Sequence, residues 1–596
     1  MTLATRSRGR LSALTAACLL TLALPASPAF AKTKEKPAVE TTAPNPFEYK
    51  LDIPTIDMVG ANMDEATLRD ILSGNIVPHA AELAGLKATS ITIPQINFTY
   101  STVGDGGVPI AGAVQYADIV LSDISAGVVG SVAIGSTTLD AKKVAGAFGQ
   151  MSAKKLNIAA MLGAFGLVPE PQDTSFQTIY ADFAAVGGTI SGPELDCEFG
   201  KFSLDEFQAR PLKTNFLEIM ALASDMETQD GNPPPEAIGK LLRIYADLFT
   251  AFKSTPAHFS GIDCSGDADG EQFAMKLGPI TMDGYSPGIY PGIAIEGLKT
   301  SFGKDGVFDF GSFVSKPFDL TGPIAVLETA PVNIDQEWLE KNGRRLIPDY
   351  AGMSFSDVVI DVPSPDNPTD RIKGGIGNFD LSLAQYLNGI PTDIKTSAAH
   401  ITLELPKNSK DEQLQQLIAL GLTDLDLGFT FDTAWSREDQ TIALNELSLT
   451  GVNLADVKLS GALGRVSERV FSLEPTEVLI AGTAIVVKNL DLNVLDTGLT
   501  ELILASVAKE QGTDAATIRP VFASLAQGTI VSFLVGAAEA QNVGKAVSKF
   551  IAGTAKSLSI NLTAKEEPGL TLDDFMAAED DPTQLIGKVN ISASAE

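Results

Sequence analysis

The sequence predicts an α+β protein in which repeated β-hairpins form twisted antiparallel sheets, with amphipathic helices inserted between the strands. A glycine-centred motif recurs along the chain, each time 18 to 21 residues after an aromatic residue that opens a strand-like run. Apolar residues elsewhere alternate at period two, while longer stretches have helical spacing. Together these observations favour a row of two-strand modules and an elongated molecule. The motif copies are residues 134–140, 199–205, 277–283, 310–313 and 376–381, and the preceding aromatic residues are Tyr116, Tyr180, Phe259, Tyr290 and Phe355.

The first 31 residues are predicted to be an export signal. Three arginines precede an apolar run that is too short to span a bilayer, and Ala29-Phe30-Ala31 fits the rule for cleavage after a small residue. We therefore expect the general secretory route, cleavage after Ala31 and a periplasmic protein with no transmembrane segment in the mature chain. Residues 32–47 combine Lys, Pro, Thr and Glu without periodicity, which is typical of a flexible tether.

Residues 48–405 are predicted to carry the hairpin modules and their helical insertions. The stretch 140–167 is expected to be helical, with Asp140 as its N-cap, and Asp205 is expected to cap a second helix over 206–222. Residues 214–253 predict two amphipathic helices separated by the prolines at 233–235. Residues 64–72, which begin with Asp64, have the spacing of a further short helix.

The pattern changes near residue 405, so residues 406–596 are predicted to be a C-terminal α+β domain. Leu425, Leu427, Phe429 and Phe431 alternate with polar residues, as expected for a half-buried strand. Helices are predicted over 499–509, 514–525 and 530–556, and strands close the chain at 557–562 and 589–593.

The C-terminal third resembles an uncharacterised family of exported proteobacterial envelope proteins. The residues that carry this resemblance are LSLTGVNL at 447–454, the helical stretch that follows, and DPTQLIGKV at 581–589. The resemblance implies an exported, β-rich repeat protein with no established reaction. A more distant likeness to β-groove proteins that handle lipids is analogy at the level of fold.

The charge balance argues against some partners. A formal net charge of −31 repels nucleic acid and anionic lipid head groups at long range. Since the acidic residues are dispersed along the chain, solubility is the simplest consequence of this charge.

Cys197 and Cys264 are the cysteines left after removal of the signal, and each follows an aspartate in a neighbouring module. In an oxidising compartment two such thiols are expected to form a disulfide. The alternative is a pair of buried, inert thiols.

Two motifs were tested for chemistry. Asp263, Asp267, Asp269 and Glu271 surround two glycines and make a weak calcium candidate, but Lys276 stands where an EF-hand needs its bidentate glutamate. Residues 284–288, GYSPG, have the spacing of a serine-hydrolase elbow. Pro287, however, lacks the N–H that an oxyanion hole needs after the nucleophile.

No catalytic residue, cofactor or firm metal site is therefore predicted. The favoured function is a non-enzymatic exported protein of the bacterial envelope that binds or scaffolds a hydrophobic component, with a lipid or another envelope protein as partner. Two alternatives stay open at this point: an envelope hydrolase with an unrecognised carboxylate site, and a purely structural, surface-associated repeat protein.

Overall fold

A computed structural model of the protein describes residues 48–596, except for 104–108, 142, 169–174, 228–234, 269, 304–305, 365–369 and 407–411. The predicted signal peptide at 1–31 and the tether at 32–47 lie outside the described residues. Residues 48–596 cluster into one compact unit.

The described chain is β-rich, its sheets are antiparallel, and helices separate the strands, which agrees with the predicted α+β class. The strands before residue 300 are β1 Glu48–Asp52, β2 Asp57–Val59, β3 Ala88–Val103, β4 Pro109–Ser125, β5 Val128–Ala141, β6 Val144–Phe148, β7 Met151–Asn157, β8 Gln177–Ala185, β9 Gly188–Ser191, β10 Leu195–Phe199, β11 Phe202–Ala209, β12 Phe252–Ser254, β13 Ala257–Phe259, β14 Ile262–Ala268, β15 Glu271–Leu277, β16 Ile280–Met282, β17 Ile289–Tyr290, β18 Ile293–Ile295 and β19 Leu298–Phe302. The later strands are β20 Val307–Asp309, β21 Ser312–Ser315, β22 Phe318–Asp319, β23 Asp349–Tyr350, β24 Gly352–Pro363, β25 Arg371–Leu387, β26 Ile390–Glu404, β27 Asp424–Ser436, β28 Thr441–Gly451, β29 Ala455–Gly464, β30 Val486–Asp496, β31 Ser557–Ala564 and β32 Val589–Ala595.

The α-helices lie between these strands, with short 3₁₀ turns at Val77–His79, Gly343–Leu346 and Glu468–Phe471. The α-helices are α1 Glu65–Leu72, α2 Ala80–Ala84, α3 Ile158–Ala164, α4 Phe216–Glu227, α5 Pro235–Ala251, α6 Thr321–Glu328, α7 Gln336–Asn342, α8 Glu412–Ala419, α9 Pro475–Thr483, α10 Leu499–Glu510, α11 Ala515–Phe533, α12 Ala540–Ile551, α13 Leu572–Asp580 and α14 Pro582–Ile586. None of the helices in the described part of the chain has the length and apolarity needed to cross a bilayer.

Nearly all of the described strands belong to one 29-stranded sheet, and β17, β22 and β23 form a separate three-stranded sheet. Between β5 and β24 the large sheet runs as two ladders side by side. The first follows β7, β8, β11, β13, β16, β18 and β21, and the second follows β6, β9, β10, β14, β15 and β19, with β20 pairing with β24. In each chain segment that crosses from one ladder to the other, the strand is interrupted for two residues.

A line of glycines marks these interruptions. The seven positions, here called the glycine line, are Gly149, Gly187, Gly200, Gly261, Gly278, Gly297 and Gly311. Backbone hydrogen bonds connect neighbouring breaks, such as the 2.8 Å bond from Gly200 N to the carbonyl oxygen of Gly261. Gly187 and Gly261 have φ values of +102° and +107°, which an L side chain disfavours. The glycine line is therefore where each strand bends.

Unbroken strands continue the same line with a residue in the left-handed region opposite a glycine. Asp118 of β4, with φ of 54°, faces Gly135 of β5, and Asp357 of β24 faces Gly377 of β25. Asp118 Cβ lies 2.8 Å from the position that a Cβ on Gly135 would occupy, so the pairing leaves no room for a side chain there. A left-handed residue bends a strand as a bulge does.

The predicted pairing of the aromatic-led strand with the strand of the glycine motif is confirmed in the following cases. Tyr116 of β4 lies opposite Thr137 of β5, and Phe355 of β24 lies opposite Phe379 of β25. The predicted pairing is wrong for Tyr290, which lies on β17 in the small sheet and pairs with Phe318. The motif therefore marks the bend in the sheet, and its copies do not build equivalent hairpins.

Two of the predicted helices are wrong. Residues 144–148 and 151–157 are strands β6 and β7, and only Ile158–Ala164 is helical, so Asp140 lies within β5 and caps nothing. Asp205 lies within β11; the next helix begins at Phe216, where Asn215 Oδ1 accepts the Glu218 N–H at 2.9 Å. Alanine and glycine are frequent along 140–167, and Pro211 interrupts 206–222. In both stretches pairing with neighbouring strands decides the structure.

Other elements match the predictions. The predicted pair of helices over 214–253 corresponds to α4 and α5, and Asp64 caps α1 by accepting the Thr67 N–H at 2.7 Å. In the C-terminal part α11 continues to Phe533 and α12 begins only at Ala540, so the break lies later than predicted. The sheet passes through the predicted domain boundary near residue 405, because β26 pairs with β27.

Helix α13 is tied to the last strand by one aspartate. Asp574 completes a capping box with Thr571 and forms an ion pair with Lys588. The hydrogen bond from Lys588 and those from Thr571 lower the pKa of Asp574 from its ordinary value of 3.8 to about 2.

Acid should remove this tie. A carboxylate whose folded pKa is depressed stabilises the fold fully above pH 3.8, and its contribution is lost as the pH falls through about 2. We expect Asp574→Asn to be less stable than the wild type at pH 6, with most of the deficit gone at pH 2. Urea unfolding at both pH values measures the difference, and a deficit as large at pH 2 as at pH 6 would contradict the assignment to the carboxylate.

Candidate functional site

One residue from each of nineteen strands forms an unbroken apolar row across the large sheet. The register pairs every member directly with the next, from β3 to β32. The members of this apolar row are Ile93, Ile119, Ile134, Met151, Ala185, Phe202, Phe259, Ile280, Ile295, Phe313, Phe355, Phe379, Ala398, Phe429, Leu449, Val457, Val494, Leu558 and Ala595. At about 4.8 Å between strands, the row extends over roughly 85 Å of sheet.

The glycine line sets the position of the row. In seven strands the row residue lies two positions from a glycine of the glycine line: after the glycine in strands of one direction, as in Gly200-Lys201-Phe202, and before it in strands of the other, as in Phe259-Ser260-Gly261. Because side chains alternate along a strand, this constant offset keeps the row on one side of the bend. The row is therefore a consequence of where each strand bends.

Helices cover this row at its beginning. Ile93 and Ile119 belong to a buried cluster that includes Leu68 of α1 and Leu83 of α2. Near the other end, helices α12 and α14 pack on Ile591 and Ala593, which flank the row on β32. These helices enclose the first part of the row and stand beside its last strand.

The middle of the row is more open. Between Met151 and Val494, Ala398 is the one buried member and Leu449 is 64% exposed. The other members of this stretch are half-buried. Among the described residues, no buried cluster includes a row member from this stretch. An apolar surface that passes through half-exposed phenylalanines is unusual for packing alone.

Three phenylalanines lie at the centre of the row. Phe313, Phe355 and Phe379 occupy neighbouring strands in direct register, and the rings of Phe355 and Phe379 stack with centroids 4.8 Å apart and planes 12° apart. Stacked rings present a flat, rigid apolar surface that loses little entropy when a ligand covers it.

A cavity of about 1220 Å³ lies beside this centre, between strands β24–β27 and helix α8. Its apolar lining comes from Val358, Ile360, Ile376 and Leu403 on the strands, and from Ile418 at the end of α8. Val358 and Ile376 are register partners that lie three residues along β24 and β25 from Phe355 and Phe379, which are not part of the lining of this α8 cavity. A largely apolar cavity of this size is typical of a small-molecule or lipid site.

The polar lining of the α8 cavity is mostly held in pairs. Lys373 Nζ lies 3.5 Å from Glu404 Oε2, Asp361 is bound by Arg371, and His400 Nδ1 lies 3.1 Å from Asp426 Oδ2. The His400 side chain is 69% exposed. These pairs make a charged rim around an apolar interior, an arrangement that suits an amphiphile.

The hydrolase alternative is best represented by two aspartates outside this cavity. Asp319 and Asp349 are register partners in the three-stranded sheet, and burial, together with the Asp319 charge, raises the pKa of Asp349. Asp319, however, accepts the Thr321 N–H at 2.8 Å where α6 begins. Its carboxylate thus has a structural role.

The GYSPG segment is a turn. The Ile289 N–H donates to the Ser286 carbonyl oxygen at 2.9 Å, and the short strand β17 follows where a hydrolase elbow needs a helix. The interpretation of this segment as a strand connection is confirmed.

The calcium candidates occupy the β14–β15 hairpin and its tip. Asp263 Oδ2 lies 3.5 Å from Lys276 Nζ, and Asp267 Oδ1 accepts the Gly270 N–H at 2.9 Å, while Glu271 begins β15. Asp269 lies outside the described residues. Within the described residues, no three His, Cys, Asp or Glu side chains converge as metal ligands, and the calcium site stays a prediction.

The predicted disulfide is present. Cys197 on β10 and Cys264 on β14 are register partners, and their sulfur atoms are 2.10 Å apart. The bond spans 67 residues of chain, a separation for which restricting the unfolded chain contributes about 4 kcal/mol. It fastens two strands of the second ladder beside the glycine line.

Sequence reasoning found the glycines but missed the apolar row and the α8 cavity. The signal was the residue two positions from each of the seven glycines of the glycine line, which is apolar in every case. That signal becomes a continuous row only when the register of all the strands is known.

A family model described as an uncharacterized protein matches residues 448–596, which comprise the last four residues of β28 and all elements after it. No curated protein matches the chain. The resemblance predicted for the C-terminal part, to a family without a known function, is thus supported over these residues, which carry the last five members of the apolar row.

Proposed function

We propose that this protein is exported to the bacterial envelope and binds lipid acyl chains along the apolar row, without catalysing a reaction. The observation that carries the proposal is the strand register. The nineteen residues that lie opposite one another in successive strands are all apolar, and those in the central strands are only half-buried. A core that served stability alone would be expected to be covered along its length, as the row is at Ile93 and Ile119.

The dimensions of the row support an elongated ligand. An extended acyl chain laid across the strands would pass from one row residue to the next, and each CH₂ group removed from water contributes about 0.8 kcal/mol. The α8 cavity begins two residues along β24 and β25 from Phe355 and Phe379, and its charged rim offers a place for a polar head group. The lipid is proposed by class only, as a molecule with at least one long saturated or monounsaturated chain.

The first test is direct binding. The exported protein, isolated from a periplasmic fraction and delipidated, is titrated with palmitate carrying a photoreactive diazirine, irradiated and digested. We expect saturable labelling, with labelled peptides from β21, β24, β25 and β27, where the row is open. Delipidated protein that takes up no palmitate, or that is labelled only at the helices outside the row, would overturn the proposal.

A further inference from the structure

The last strand of the large sheet has an unpaired outer edge. Among the described strands, β32 pairs with β31 alone. Glu596 exchanges hydrogen bonds with Ser557, and the Lys565 N–H donates to the Lys588 carbonyl oxygen at 2.9 Å. Because bonded positions alternate along an antiparallel strand, the even-numbered residues from 588 to 596 bond to β31. The backbone groups of Val589, Ile591, Ala593 and Ala595 therefore point away from it.

This edge lacks the features that usually prevent strand pairing. The β32 sequence, VNISASA, has no proline and no charge, and its register with β31 runs without a bulge. Edge strands of this kind are templates for another strand. Its side chains alternate, with Asn590, Ser592 and Ser594 exposed and the odd-numbered residues on the apolar side, where α12 packs and Val589 is only 3% exposed.

We propose that two copies of the chain pair antiparallel through β32, about a twofold axis that passes through Ser592. In this register Val589 pairs with Ala595 of the other copy, and Ile591 with Ala593. All four outward-pointing residues then exchange backbone hydrogen bonds, and apolar residues meet only apolar residues. Such complete self-complementarity is what an isologous interface requires.

Charge agrees with the same register. It places Lys588 of each copy, which also pairs with Asp574 of its own chain, opposite Glu596 of the other, so unlike charges flank the shared strands. A shift by two residues in either direction leaves one of the four outward-pointing residues of each copy opposite a position outside β32, and it separates these charges. The charge pattern therefore selects the register that the backbone also favours.

The dimer would extend the sheet without turning it over. A twofold axis perpendicular to a sheet keeps the same face of both copies on the same side, so the two apolar rows would lie on one continuous surface. The proposal rests on the edge of β32 and holds whether or not the row binds a lipid.

Cysteine cross-linking tests the register. Ser592 of one copy is predicted to face Ser592 of the other in a non-hydrogen-bonded pair, with Cα atoms about 4.5 Å apart, within the range of a disulfide. The exported S592C protein should give a covalent dimer under mild oxidation. In the matched control S594C, the two cysteines would be about 14 Å apart and should not link.

A second variant tests the edge itself. Ala593→Pro removes an outward-pointing N–H and obstructs the incoming strand while sparing the bonds to β31, so association should weaken roughly tenfold or more. Light scattering of the wild type should give twice the mass of one chain, with a larger monomer fraction for A593P at equal concentration. A monomeric wild type, or S594C linking as readily as S592C, would overturn the proposal. A one-to-one complex with a different protein would do the same.

Discussion

Phe379→Asp should reduce the affinity for palmitate by roughly 100-fold. Phe379 lies at the centre of the apolar row, half-buried and stacked on Phe355. A carboxylate there would be covered by the acyl chain without an ion-pair partner, and burying an unpaired charge costs about 3 kcal/mol or more. Fluorescence titration with a parinaric acid probe measures the change.

The chain offers a matched control one residue away. Asn378→Asp introduces the same charge on the same strand, but Asn378 is exposed and its side chain points to the opposite face of β25. We expect its affinity to stay within about twofold of the wild type, since an exposed charge on the far side is screened by water. Phe379→Leu should retain most of the affinity.

Other outcomes would contradict the proposal. If both aspartate variants weakened binding equally, long-range repulsion of an anionic head group would explain the loss, and the row would not be the site. If Phe379→Asp bound as the wild type does, an acyl chain would not cross the central strands. Near-ultraviolet circular dichroism shows whether either variant has lost its fold.

Elements with a strong local signal could be predicted from the sequence. Helix α5 begins at the last of three consecutive prolines and has a clear apolar face, and β27 alternates without interruption from Leu425 to Phe431. Such segments need no partner to be recognised, because their period alone decides between helix and strand.

Elements whose structure depends on a neighbouring strand could not be predicted from the sequence. Asp140 and Asp205 have the residue type of an N-cap, yet both lie in strands, since β5 and β11 each pair on both sides. A capping residue contributes about 1 kcal/mol, less than the cross-strand contacts of two ladders combined. Tertiary pairing overrides the local signal at these positions.

The glycine motif shows the same limit in another way. The repeated glycines are visible in the sequence, but the reason for each glycine is the close approach of a neighbouring strand. Gly278 is an example: its surroundings come from Glu296 and Gly297, which are far enough along the chain that no local pattern connects them. The candidate site inherits this limit, because the apolar row exists only across strands.

Gly278→Ala should destabilise the fold by about 3 kcal/mol or more. A Cβ at this position would lie 1.8 Å from the Glu296 carbonyl oxygen, while the Gly278 N–H donates to the Gly297 carbonyl oxygen at 2.9 Å. The obstacle is backbone on a neighbouring strand, so no side chain can rotate away, and the two ladders would have to separate locally. Overpacking that forces backbone to move has costs of this order.

Gly482→Ala is the matched control, since a Cβ at Gly482 in helix α9 meets nothing within 4 Å. Alanine there should leave stability unchanged or raise it by up to about 1 kcal/mol, because it favours the helix. Guanidinium unfolding followed by tryptophan fluorescence compares the two transition midpoints. Equal midpoints would mean that the strands tolerate a side chain at the bend, and the glycine line would then not be what sets the position of the apolar row.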